Sequence, residues 1–225
     1  FNRDMPEEIN RVMTDHVSSL LFCSSQVGKN NLKNEGITNN VFICGDLMKD
    51  ALLKVRSKIK NDINPEGFIL ATLHRPYNTD KYERLNQILF NLNKLGNKVI
   101  FPIHPRTKTL LNQNNFNYKL YRNIEFIKPV GYIEMVNMLQ KCILMVTDSG
   151  GVQKEAYWSK KQCLTIRSET EWIETLEHGW NTLIFENLSM IHKLKKPDQL
   201  MYNESLYGDG KSAEKIVEKI LSFVS

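Results

Sequence analysis

One pattern restricts the fold of this chain more than any other. From Val41 onward, apolar runs of strand length alternate with longer stretches whose apolar residues recur every three or four positions. Strands are expected at 41–44, 67–73, 98–103, 124–127, 142–146, 162–166 and 182–185. Helices are expected at 46–59, 81–95, 105–113, 132–140, from the two glycines after 146 to 159, and at 212–223. In the helix at 81–95, Leu85, Ile88, Leu89 and Leu92 share one side. No hairpin signal interrupts the series. Parallel strands need crossover connections, and strands joined through helices build an open sheet. The expected class is therefore α/β with a Rossmann-like parallel sheet. Ahead of this pattern, residues 6–20 read as a helix with the apolar stripe Ile9, Met13, Val17 and Leu20. A short buried strand at 20–23 follows, then a helix at 27–35 that Gly36 ends.

The chemistry-bearing residues cluster where strands end. Gly45 follows the first of these strands, His74-Arg75 the second, His104-Pro105-Arg106 the third. Thr147-Asp148-Ser149-Gly150-Gly151 follows the central one, and Arg167 the next. In an open parallel sheet the carboxyl ends share one edge, and ligands bind there. Two histidines, three arginines and a glycine turn on that edge describe an anion site. The turn is the sharpest element. The first N–H groups of a helix lack internal partners and favour negative charge, so a phosphate suits them. Gly150 and Gly151 present no side chain to a close ligand. Glu155, a turn and a half later, cannot serve a phosphate, but its carboxylate can accept from ribose hydroxyls.

Composition narrows the partners. Apolar residues make up 41% and charged residues 24%, which describes a globular chain. A net charge of +5 suits an anionic small molecule. No arginine-rich stretch with interleaved aromatics suggests nucleic acid. No apolar run approaches the ~20 residues that span a bilayer, and no segment reads as a signal peptide. Cys23, Cys44, Cys142 and Cys163 have neither metal nor redox spacing and read as buried reduced thiols, so the cytoplasm is the expected location. No metal and no cofactor are expected.

In order and spacing, these residues resemble the non-hydrolysing UDP-N-acetylglucosamine 2-epimerases. The resemblance rests on Pro6-Glu7-Glu8-Ile9-Asn10-Arg11, Gly45 with Asp50-Ala51-Leu52, and Thr72-Leu73-His74-Arg75. It continues through Pro102-Ile103-His104, Thr147 to Ala156, Arg167 with Thr170-Glu171, and Tyr207-Gly208-Asp209-Gly210. It implies a GT-B architecture, two Rossmann-like domains with the active site in the cleft between them. Residues 1–40 would be the tail of the N-terminal domain and 41–210 the C-terminal, UDP-binding domain. The closing helix, 211–225, can cross back. A first residue that is Phe1 rather than a methionine adds the expectation of a fragment. The implied reaction is that of an isomerase. UDP is eliminated across C1–C2 of the sugar and added back with C2 inverted, without a redox cofactor. Glu7 and His74 match catalytic positions. Arg75, His104, Met135, Asp148, Ser149, Gly150, Gly151, Glu155 and Arg167 match substrate-binding ones. The implied partner is a UDP-N-acetyl amino sugar; a homodimer is left open.

The chain departs from the family pattern in three places. The familiar His-Arg-x-Glu-Asn reads His74-Arg75-Pro76-Tyr77-Asn78. Met135 stands where an aromatic lies near uracil, and Glu171-Trp172-Ile173-Glu174 replaces Glu-Arg-Pro-Glu. These bear on the sugar more than on UDP. A GT-B glycosyltransferase and a noncatalytic UDP-sugar-binding module are the rival readings.

Overall fold

The structure, a computed structural model, describes residues 6–59, 67–193 and 196–225. The chain divides into two compact units, Phe1–Lys54 with Asn203–Ser225, and Val55–Tyr202.

In the first unit, α1 (Pro6–Val17) leads to β1 (Leu21–Cys23), α2 (Gln26–Asn34), β2 (Val41–Ile43) and α3 (Leu47–Arg56). Ser25 caps α2, and Gly36, at φ +84°, takes the left-handed conformation that ends it. β1 and β2 pair in parallel, Leu21 beside Val41 and Cys23 beside Ile43. Leu21, Cys23, Leu32 and Val41 form a small core under them. This corrects one expectation. The strand at 41–44 reads as the first of the open sheet, but it pairs with β1, so Gly45 does not end a strand of that sheet. A local apolar pattern announces a strand and leaves its neighbour unspecified. The stripe of α1 also behaves differently from a core stripe, since Ile9, Met13 and Val17 are all exposed. Its partly buried face is charged instead. Arg11 bonds Glu8, Asp15 and, across to α2, Glu35.

The second unit holds six parallel strands. They are β3 (Ile69–Thr72), β4 (Val99–Pro102), β5 (Ile124–Ile127), β6 (Leu144–Thr147), β7 (Gln162–Thr165) and β8 (Asn181–Leu183), in the spatial order β5-β4-β3-β6-β7-β8. A four-residue helix, α4 (Pro76–Thr79), precedes α5 (Tyr82–Asn93). Then come α6 (Pro105–Gln113), α7 (Tyr132–Lys141) and α8 (Gly150–Trp158). Alternate strand residues face opposite ways. Ile69, Ala71, Leu144, Val146 and Leu164 join one core with Leu85, Ile88, Leu89 and Leu92 of α5 and Leu111 of α6. Leu70, Met145 and Cys163 join the other with Leu139 of α7 and Ala156 of α8. With both faces covered, the strands need apolar residues at every position, and the central runs have that composition. The last element, α9 (Ser212–Val224), belongs to the first unit.

Candidate functional site

β3 and β6 lie side by side at the middle of the sheet, and their chains leave for opposite faces. The element after β3 that packs on the sheet is α5, on one face. After β6 it is α8, on the other. Such a reversal opens a crevice at the carboxyl ends. Thr72 and Thr147 end the two strands in register, with hydroxyls 2.9 Å apart. The N–H of Ser149 donates to Thr147 Oγ1 at 3.0 Å.

Asp148 is the hub of the crevice and is fully buried. Its carboxylate accepts the backbone N–H of His74 at 3.0 Å, the N–H of Arg75 at 3.0 Å and Asn78 Nδ2 at 3.1 Å. His74 Nδ1 lies 3.1 Å from Oδ1. Burial pushes the Asp148 carboxyl up. The bonds from the His74 side chain, Asn78 and the two backbone amides together outweigh it and hold the group below its ordinary value. A carboxylate only accepts, so His74 donates through Nδ1, which leaves Nε2 as the ring's second polar atom. The His74 side chain is 53% exposed. Asn78 also donates to the carbonyl of Ile166 at 2.9 Å, which ties the end of β7 to the hub. In the sequence Asn78 stands out only as part of a motif. The signal for its role is Pro76, a favoured first helical residue, which starts α4 and carries Asn78 inward.

The turn beside the hub is closed by a loop. Ser149 caps α8, and Gly150 and Gly151 form its first turn. A Cβ on Gly150 would lie 3.3 Å from Trp172 Nε1 and 3.6 Å from Arg167 Nη1, so a side chain here would press on the Trp172 ring. Arg167 is buried and forms two bonds to Glu171, at 3.0 and 2.8 Å. Burial raises the Glu171 carboxyl, but the Arg167 bonds pull it below its ordinary value. Arg167 therefore stands at the wall of the turn with its charge shared. The loop is fixed by Gln153 of α8, whose Oε1 accepts from Thr170 Oγ1 at 2.7 Å and from Asn181 Nδ2 at 3.0 Å. Lys154 Nζ sits 3.6 Å from the centroid of the Trp172 ring.

The remaining sequence candidates spread around this centre. Glu155 is buried in α8 and accepts the Tyr132 hydroxyl of α7 at 2.9 Å. Met135 packs partly buried against the core that α7 and α8 share. His104 follows β4, the neighbour of β3, and caps α6 by accepting the Arg106 N–H at 3.3 Å. Arg75 Nε is buried with no hydrogen-bond partner. Glu7 lies in α1 of the other unit, and its side chain is outside the described ones. Tyr132, Gln153 and Trp172 also build the site, and sequence reasoning does not single them out for it. Among the described residues, no group of three or more His, Cys, Asp or Glu could hold a metal ion.

A parallel sheet whose chain reverses at its centre, with a glycine turn and a helix N-terminus at the reversal, defines a doubly wound, Rossmann-like α/β protein. The chain belongs to the UDP-N-acetylglucosamine 2-epimerase family, whose model matches residues 1–221. It is 44% identical to the UDP-N-acetylglucosamine 2-epimerase homolog of Methanococcus maripaludis over 97% of its length and 65% of the relative's. It is 40% identical to the UDP-2,3-diacetamido-2,3-dideoxy-D-glucuronate 2-epimerase of Pseudomonas aeruginosa, covering 97% of this chain and 64% of that one. Among solved structures, the UDP-GlcNAc 2-epimerase of Methanocaldococcus jannaschii in complex with UDP-GlcNAc and UDP matches with a TM-score of 0.84 at 40% identity. That match covers 99% of this chain and 66% of the other. The chain thus spans about 65% of the length of the curated relatives it matches. Its fold is that of a C-terminal portion of a GT-B epimerase.

Proposed function

We propose that this chain is the UDP-binding portion of a UDP-N-acetylglucosamine 2-epimerase, which interconverts UDP-GlcNAc and UDP-ManNAc by eliminating UDP and adding it back. The observation that carries this reading is the crevice between β3 and β6. It combines an N-terminal helix turn of two glycines with a carboxylate, Glu155, on the same helix. Ser149, Gly150 and Gly151 hold the diphosphate through the helix N-terminus. Arg75, whose buried Nε has no partner, and His74 balance its charge. Asp148 orients His74 and does not touch the ligand, because its acceptors are taken. Glu155 takes the ribose, Met135 the base side, and Arg167 holds the wall. Glu7 and His104 serve the sugar, Glu7 in proton transfer at C2. His74 stabilises the charge that grows on the departing phosphate.

A UDP-binding domain at 41–210, whose six-stranded compact unit is Val55–Tyr202, belongs to this proposal, as does a cytoplasmic location, which four buried free cysteines support. Among the described residues, no helix is long and apolar enough to cross a membrane. A second substrate reading has a specific motive. The relative from P. aeruginosa is named for UDP-2,3-diacetamido-2,3-dideoxy-D-glucuronate at 40% identity, so another UDP-2-acetamido sugar fits the same site.

Deuterium exchange at C2 of UDP-GlcNAc in D2O, followed by NMR, tests the proposal. The full-length protein is expected to exchange and invert C2, whereas these 225 residues alone bind UDP without turnover. Turnover by the 225 residues at roughly 1 per second would overturn the division of labour. Binding without exchange by the full-length protein would make it a binding module.

A further inference from the structure

Glu155 poses a physical problem that the UDP reading leaves unsolved. It is 3% exposed, and a carboxylate buried to that degree must have donors or lose its charge. One donor comes from outside its own helix. The hydroxyl of Tyr132, the first residue of α7, donates to Glu155 Oε1 at 2.9 Å across the packed pair of helices. The other end of Tyr132 does something different. The residue is 43% exposed, and it lines an open groove of about 730 Å³ together with Lys58, Gly131, Glu134 and Asn137. One side chain therefore touches both the buried carboxylate and an accessible groove.

We propose that Tyr132 is a positioning residue for ribose recognition. Its hydroxyl fixes the rotamer of Glu155 and aligns the carboxylate with the 2′- and 3′-hydroxyls of a bound nucleotide. This rests on the UDP reading above and goes one step further, since it names the residue that makes the site selective for a ribonucleotide. A carboxylate has about four acceptor positions, and Tyr132 uses one of them. Anchoring one oxygen of a planar carboxylate fixes the plane in which the other oxygen lies. The choice of tyrosine over a cation is physically apt. A lysine or histidine would neutralise the charge that the ribose must sense, while a phenol leaves it intact. Burial first, and the charge and hydrogen bond of Glu155 after it, push the Tyr132 hydroxyl above its ordinary value. It therefore remains a donor at every working pH. Rigid support of this kind from a neighbouring helix is what holds a binding group in its productive geometry.

The test is a double-mutant cycle read by calorimetry on the full-length protein, with UDP and 2′,3′-dideoxy-UDP as the two probes. Tyr132→Phe removes one donor from the buried Glu155 carboxylate, so the melting temperature should fall modestly while the protein stays folded. It is expected to weaken UDP about tenfold, the scale of one hydrogen bond to a charged group. Dideoxy-UDP should weaken less than about twofold, within the spread of a contact not made. In a Glu155→Gln background, Tyr132→Phe should have no further effect on UDP. Equal losses for both probes, or additive effects of the two substitutions, would overturn the positioning role while leaving the UDP site standing. If Glu155→Gln itself fails to distinguish the probes, the ribose assignment of Glu155 falls, and the role of Tyr132 falls with it.

Discussion

Asp148 and Lys49 are both buried charges, one in each unit, and the molecule accommodates them in opposite ways. In the second unit, Asp148 is a fully buried carboxylate that collects donors from His74, Arg75 and Asn78. In the first unit, Lys49 of α3 is a buried ammonium whose Nζ donates to the carbonyls of Glu204, Leu206 and Gly208 at 2.7, 3.2 and 2.6 Å. Three protons meet three acceptors, all from backbone, so the lysine is fully used. Burial lowers its proton affinity, with the charges of Glu204, Asp209 and Asp50 acting the other way. The ammonium of Lys49 has no donor left to offer. At Asp148 one partner keeps a second polar atom, because His74 spends one ring nitrogen on the carboxylate and exposes more than half of its side chain. The difference teaches that a buried charge does not by itself mark a functional site. What marks one is a partner with chemistry to spare. Lys49 pins a loop, whereas Asp148 aims a histidine.

The comparison can be broken most directly at Asp148. Asp148→Ala leaves two backbone N–H groups and Asn78 Nδ2 buried without their acceptor. It should cost about 3–5 kcal/mol, the scale of several donors left unpaired at about 1–3 kcal/mol each, in urea unfolding, and UDP binding should vanish with it. A milder loss than that of the lysine variant would reverse the ranking. Lys49→Met keeps the stem and removes the ammonium, stranding three carbonyls, for an expected loss of about 1–3 kcal/mol. Hydrogen exchange at 203–210 should quicken while UDP affinity holds. A K49M protein that loses UDP affinity would give Lys49 a role at the ligand.

The smallest effect sharpens the contrast through pH. The Asp148 carboxyl is lowered in the folded state, so at acid pH the unfolded chain binds more protons. Its contribution is complete above the ordinary value of about 4 and is lost as pH falls through the folded one. The Lys49 amine is also lowered, so its term makes stability rise with pH, but only between its folded value and about 10.4. Urea midpoints from pH 3 to 7 should therefore show a flatter acid limb in Asp148→Asn and an unchanged one in Lys49→Met. Equal acid limbs in wild type and D148N would remove the carboxylate from the account.

Much of the fold is legible in the amino-acid sequence, because it depends on local pattern. The α5 stripe of Leu85, Ile88, Leu89 and Leu92 is wholly buried. The strands of the open sheet fall where apolar runs predict, and α6 and β5 match to the residue. The Gly150-Gly151 turn is equally legible, since a strand, two glycines and a helix impose one local geometry. Helical period, strand period and turn chemistry are properties of neighbouring residues, so a sequence determines them by itself. Which strand pairs with which is a different kind of fact. β2 carries the same signal as β3 and joins β1 instead. The exposed stripe on α1 looks, in sequence, like the buried one on α5. Asn78, Tyr132 and Gln153 acquire their roles from partners 70, 23 and 28 positions away. A hydrogen bond between such residues needs both side chains delivered to one place within about 3 Å. Only the packing of the sheet against its helices decides that.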